Sequence, residues 1–197
     1  FKFDSQINTK LKEMAGKVMM KLSENIDSIL KERKPIEDEY NNIVEDILTN
    51  EEFLKLKNFY HHNSSIYEHA KIVSYISYRL CKLLNLDYVS AARGALLHDF
   101  FLYDWRNHDE PELAKDKYHG IEHPKIALEN AQKHFTLNEI EKDIITKHMW
   151  PLTLIPPRYQ ESFIVTFTDK YVATKEFLNE FKNKQFGFKK ILKILRN

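Results

Sequence analysis

The residues with the most chemistry in this sequence are a His–Asp pair inside an apolar run, Ala91 to Tyr103, reading AARGALLHDFFLY. The run is apolar on nearly every face and predicts a helix buried in the middle of the molecule. His98 and Asp99 are costly residues to bury there. A buried carboxylate must neutralise, pair with a charge or bind a metal, and an adjacent imidazole favours the metal. Four more residues of ligand type stand on or beside apolar helix faces. His69 precedes Ile72 and Val73 by three and four residues, so it shares their inward face. His148 continues the face of Ile140 and Ile144. Asp169 sits inside the apolar pattern of Phe163, Ile164, Val165, Phe167, Tyr171 and Val172. His123 precedes Pro124, a residue suited to a first helical turn, and so reads as a helix N-terminal residue free to point off the axis. Each has a bland alternative: a lone core histidine is commonly a hydrogen-bonded structural residue, and Asp169 could cap or pair with a lysine. Burying two carboxylates and four imidazoles together without a shared cation would leave several polar groups unpaired. The set therefore points to metal chemistry.

The elements that must position these residues are helical. Gly 4 and Pro 6 in 197 residues are few, and Leu, Ile, Lys and Glu dominate, which predicts an all-α chain. The length suits one domain, or one domain with an appendage. A formal charge of +1 gives no reason to expect a nucleic-acid or anionic-membrane partner. Cys81 is the only cysteine, which excludes an intrachain disulfide and thiolate zinc clusters. It reads as a small core residue between Leu80 and Leu83. No apolar run approaches the roughly 18 residues of a membrane helix, and we expect a cytoplasmic chain. It opens on Phe1 rather than Met, so a leader could precede it, though nothing asks for one.

In order, the spacing predicts an amphipathic helix over 8–33, a second over 36–48 and a third through Phe53, Leu56 and Phe59. These read as a 1–60 extension covering the core, or as a dimerising arm. Ser65 and Glu68 form a capping box opening a helix to about Leu84, with Ile72, Val73, Ile76, Leu80 and Leu83 on one face. Asp87 caps the central helix. A polar loop follows over 104–120, with a short helix around 111–115. Thr136 and Glu139 form a second capping box. The last core helix runs from Arg158 to about Phe181, and a basic helix over 182–197 reads as a solvated face.

His69, His98-Asp99, His123, His148 and Asp169, with ALLHD at Ala95–Asp99 and YEHAKIV at Tyr67–Val73, resemble the H…HD…H…H…D signature of the HD-domain phosphohydrolase superfamily. The resemblance covers roughly 63–181 and implies an HD-domain helical bundle with N-terminal helices packed on it. The extra His123 and His148 resemble the version holding two metals. It implies Asp99 bridging the ions, His69, His98 and Asp169 completing one, and His123 and His148 completing the other. A metal-bridging hydroxide would then attack the phosphorus of a small phosphate ester or nucleotide, dinucleoside polyphosphates included. Imidazole ligands favour Fe, Mn, Co, Ni or Zn over Mg or Ca. Two alternatives share the scaffold: a di-iron HD-domain oxygenase oxidising a small substrate, and a non-catalytic nucleotide-binding sensor, against which the complete ligand set argues.

One departure concerns substrate. Many relatives carry Gly and Lys shortly after the HD pair, where Phe100-Phe101-Leu102-Tyr103 stands here. Replacement contacts to phosphate could come from Tyr103, Arg106, His119, Arg158 or Lys170, each equally readable as a surface residue. Phe100, Phe101, Trp105 and Trp150 could stack a nucleobase, although aromatic residues beside a buried helix are usually core. His61 or His62 could replace His69 if the helix started earlier. His108 and His134 read as exposed.

Overall fold

The computed structural model describes residues 2–31, 38–61, 64–103 and 119–194. Side chains are described for 16–29, 31, 38–59, 65–103 and 121–178. The chain divides into two compact units, Phe1–Pro35 and Ile36–Asn197. Among its described residues the first is one helix, α1 (Lys2–Lys31), starting six residues before the apolar repeat predicts. The second holds α2 (Asp38–Leu48), α3 (Glu51–Leu54) with a 3-10 turn at Lys55–Asn58, α4 (Ile66–Leu83), α5 (Tyr88–Leu97), α6 (His119–His134), α7 (Glu139–Lys147) and α8 (Gln160–Ile194). Between the 3-10 turn and α4 lies a two-residue antiparallel pair, Tyr60–His61 with Ser64–Ser65. The architecture is all-α, as the composition predicts.

The helix starts follow from capping chemistry. Ser65 Oγ accepts from Glu68 N at 3.2 Å, and Asp87 Oδ1 accepts from Ser90 N at 2.9 Å. The expected cap at Thr136 is displaced two residues. Asn138 caps α7, its side chain accepting from Glu141 N at 2.8 Å while Glu141 Oε2 accepts from Asn138 N at 2.8 Å. That box satisfies two orphan amides, where Thr136–Glu139 forms none. α6 begins at His119, so Pro124 and His123 lie inside it rather than at its first residue. Pro124 is the sixth residue of α6, past the four amides that go unpaired at a helix start, so it forfeits one ladder bond, the one to the Gly120 carbonyl. α8 continues without interruption through Ile194, so no break separates the basic tail at Phe181.

The central helix is shorter than its apolar run. α5 ends at Leu97; His98 is its C-cap and Asp99 lies in the following turn, where Phe100 N bonds Leu97 O at 3.2 Å and Phe101 N bonds Asp99 O at 2.8 Å. The run stays apolar because the turn is itself buried: Phe100 and Phe101 are both 0 % exposed.

The core of the second unit joins Tyr40, Val44 and Ile47 of α2 with Phe53, Leu56, Ala70, Tyr78, Ala92, Leu96 and Phe100. Each fully buried large side chain contributes roughly 1.5–3 kcal/mol. α2 is also tied by polar groups, since Arg93 of α5 reaches both Asp46 oxygens (2.6 and 2.9 Å), Ile43 O and, across to α7, Glu141 Oε1. Cys81 is buried, as expected. Leu83 and Phe163, expected in the core, are exposed: Leu83 is the last residue of α4, and Phe163 lies on the side of α8 opposite buried Val165, Asp169 and Val172.

α4, α5, α7 and α8 pack together around the functional residues. Gly94 sets the α5–α7 spacing. A Cβ there would lie 2.8 Å from Ile144 Cδ1 and 3.1 Å from its Cβ and Cγ2. Only a residue without a Cβ lets α7 approach so closely, and that approach brings the two C-terminal ends together.

Candidate metal centre

His98 and His148 are presented by the same local device. Each is the C-cap of its helix, α5 or α7, where carbonyls lack amide partners. Each ring folds back so that Nδ1–H donates to the carbonyl three residues earlier: His98 to Ala95 O at 2.7 Å, His148 to Ile145 O at 2.8 Å. The bond satisfies an orphan carbonyl and fixes the tautomer, leaving Nε2 as a lone-pair donor. The two rings meet edge to face, centroids 4.9 Å apart.

The structure brings all six sequence-predicted ligands together, each less than a tenth exposed. His69 comes from α4, His98 and Asp99 from the end of α5, His123 from α6, His148 from the end of α7 and Asp169 from α8. Two triplets result, His69–His98–Asp99 and Asp99–His123–His148, each with one donor atom per residue within 4.8 Å of the others. Asp99 belongs to both and gives one oxygen to each. Oδ2 lies 3.4 Å from His98 Nε2, while Oδ1 lies 3.3 Å from His123 Nε2 and 3.4 Å from His148 Nε2. Asp169 Oδ1 closes the first group, 3.0 Å from His69 Nε2 and 3.5 Å from His98 Nε2. In the second, His123 Nε2 and His148 Nε2 are 2.8 Å apart.

These spacings and the bonding deficits fit metal ions. Bonds of about 2.1 Å place neighbouring ligands about 3.0 Å apart at right angles and about 3.4 Å apart at tetrahedral angles. His98 Nε2 and Asp99 Oδ1 are buried with no hydrogen-bond partner. Such atoms are rare in folded chains and call for an explanation, and a cation in each group, one beside His98 Nε2 and one beside Asp99 Oδ1, supplies it.

Without a metal, protons must do that work. Burial opposes charge on His98, yet Asp99 and Asp169 hold its pKa well above the usual value. Burial likewise opposes charge on His69, yet Asp169 and Glu176 raise its pKa to about 9. Burial favours the neutral acids too, but His98, His123 and His148 hold Asp99 well below the ordinary carboxylate range. His69 and His98 do the same for Asp169. His148 moves the other way, its pKa lowered by burial and by the neighbouring His123 and His98 against the pull of Asp99. It is thus kept in the neutral form that ligates.

The candidate substrate contacts separate. Lys170 lies beside the centre: its Nζ donates to His148 O at 2.5 Å and stands 3.9 Å from Asp169 Oδ2. Burial lowers its pKa, against the fields of Asp169 and Asp99. Tyr103 is buried against Phe101, and burial, with the Asp99 charge, pushes its phenol to about 12. Arg158 is exposed, its guanidinium over the Tyr159 ring and its backbone amide bonded to Asp143. Phe100 packs on Phe53 and Phe135 in the core, and Trp150 meets Phe163. Phe101 lies edge-on to His123. Arg106, Trp105, His108, His62 and the predicted helix at 111–115 lie outside the described residues, as do the side chains of His61, His119 and the basic tail.

One participant escaped the sequence reading. Glu176 Oε2 lies 3.0 Å from His69 Nδ1. Its signal was present as a position two helical turns after Asp169 on the same face.

No family model, curated protein or solved structure matches the chain.

Proposed function

We propose that the chain is a two-metal phosphohydrolase of the HD type, acting on a small phosphate ester or nucleotide. The observation carrying this reading is Asp99, which turns one oxygen to each of two histidine groups while its Oδ1 and His98 Nε2 remain buried and unpartnered. His69, His98, Asp99 and Asp169 would hold one ion, and Asp99, His123 and His148 the other. Such ions supply a lowered water pKa and a positive clamp on phosphate oxygens.

The chain's own groups divide the remaining work. The C-cap bonds of His98 and His148 fix ring orientation before anything binds. Lys170 provides a cation at the rim: an ammonium has three donors, and the His148 carbonyl takes one. This places a charge for phosphate where the run after Asp99 carries none. Tyr103, with its pKa about 12, stays protonated at neutral pH and keeps its donor. The aromatic wall of Phe101 limits water beside His123.

The test is a phosphate-release screen of the metal-loaded protein over nucleotides, dinucleoside polyphosphates and sugar phosphates, with oxygen consumption followed in parallel. Oxygen-independent phosphate release, abolished by chelation, is the expected result. Oxygen uptake without phosphate release would replace hydrolysis by oxidation, and inertness of the loaded protein in both assays would remove the enzymatic reading.

A further inference from the structure

We propose that Glu176 is a positioning residue of the metal centre, holding the Nδ1–H of His69 so that Nε2 is presented as a lone-pair donor. This rests on the metal reading above.

His98 and His148 obtain that tautomer from their own helix ends, where a free carbonyl lies three residues back. His69 cannot. It stands in the first turns of α4, whose carbonyls are committed to the helix ladder. Its Nδ1 therefore needs an acceptor from another element, and α8 supplies one 107 positions away: Glu176 Oε2, at 3.0 Å. Asp169 Oδ1 lies 3.0 Å from the other nitrogen, Nε2. Since Asp169 and Glu176 are two turns apart on one face of α8, a single helix addresses both nitrogens of the ring and fixes its rotation. The His69 side chain is 2 % exposed and that of Glu176 17 %, so water competes weakly for the bond. A carboxylate acceptor behind a ligating imidazole also makes it a better donor to the metal than a carbonyl does, and losing such a partner typically weakens binding 10–100-fold. Its effect should be confined to the ion next to His69.

The test titrates full-length protein with Co2+ alone, following calorimetric heat and visible absorption. In a His123→Ala background, which leaves the His69 side, Glu176→Ala should weaken Co2+ binding about 10–100-fold. Glu176→Gln keeps an acceptor oxygen and should recover most of that loss. In a His69→Ala background, Glu176→Ala should change nothing. Unchanged affinity in the His123→Ala background overturns the role of Glu176, as does an equal loss in both backgrounds or a Gln variant no better than Ala. A parent protein that takes up no Co2+ overturns the metal reading itself, a different result from any of these.

Discussion

Replacing Asp99 by Ala should cost both metal positions at once, whereas replacing His69 or His123 should cost one. The asymmetry comes from geometry: Asp99 offers Oδ2 toward His98 and Oδ1 toward His123 and His148, while each of those histidines approaches one oxygen. Four-ligand zinc sites bind with roughly 10–16 kcal/mol, so one ligand accounts for roughly 3 kcal/mol. At 1.4 kcal/mol per factor of ten, that is about a hundredfold in affinity. Asp99→Ala should therefore weaken both binding events about a hundredfold and leave the dialysed protein without metal. His123→Ala should weaken one event by a similar factor and leave one ion per chain. Calorimetric titration with Mn2+ or Co2+ and elemental analysis after dialysis read both quantities, and melting of the metal-free variants checks folding. If Asp99→Ala weakens only one event, or leaves full metal content, Asp99 is not the shared ligand.

Four further outcomes follow from the same geometry. Gly94→Ala gains about 1 kcal/mol of helix propensity but meets Ile144 on Cδ1, Cγ2 and Cβ, the last of which no side-chain rotation can move, an overpacking cost of about 1–3 kcal/mol. Urea denaturation should show a net loss, and a gain would mean the α5–α7 spacing is not tight. The chelator-treated protein should be most stable between roughly pH 5 and 7. The depressed Asp99 and Asp169 contribute above the unfolded carboxylate value of about 4 and lose that contribution as pH falls, while raised His69 contributes below about 6.5 and loses it as pH rises through about 9. Since metal must displace those imidazole protons, loading should release protons and tighten as pH rises; calorimetry in buffers of different ionisation enthalpy would show otherwise if His69 and His98 are already neutral. Lys170→Met should raise the KM of a phosphate substrate by about tenfold with metal content unchanged, the loss of one hydrogen bond to a charged group; an unchanged KM would remove Lys170 from the substrate.

The buried His/Asp cluster was legible in the sequence because inward-facing His and Asp residues break an apolar repeat, and the break shows at His69, His148 and Asp169 whatever the helix boundaries. The boundaries were less legible. Ala91–Tyr103 reads as one helix because burial, not helicity, sets its composition, and the turn at His98–Asp99 is as buried as α5 itself. Asn138 displaced Thr136 as a cap because both sequences fit the same rule and only packing chooses between them. Glu176 was missed for a different reason: its place two turns after Asp169 was readable, but a glutamate on a long helix is ordinarily solvated, and nothing local reveals that its partner is a histidine 107 positions back.

The most direct test of the centre is anomalous X-ray diffraction from crystals of the protein as purified, recorded at the absorption edges of Mn, Fe, Co, Ni and Zn. We expect two peaks per chain, one among His69, His98, Asp99 and Asp169 and one among Asp99, His123 and His148. No peak at these residues after supplementation with each metal, or peaks only elsewhere on the chain, would contradict a metal centre built on Asp99.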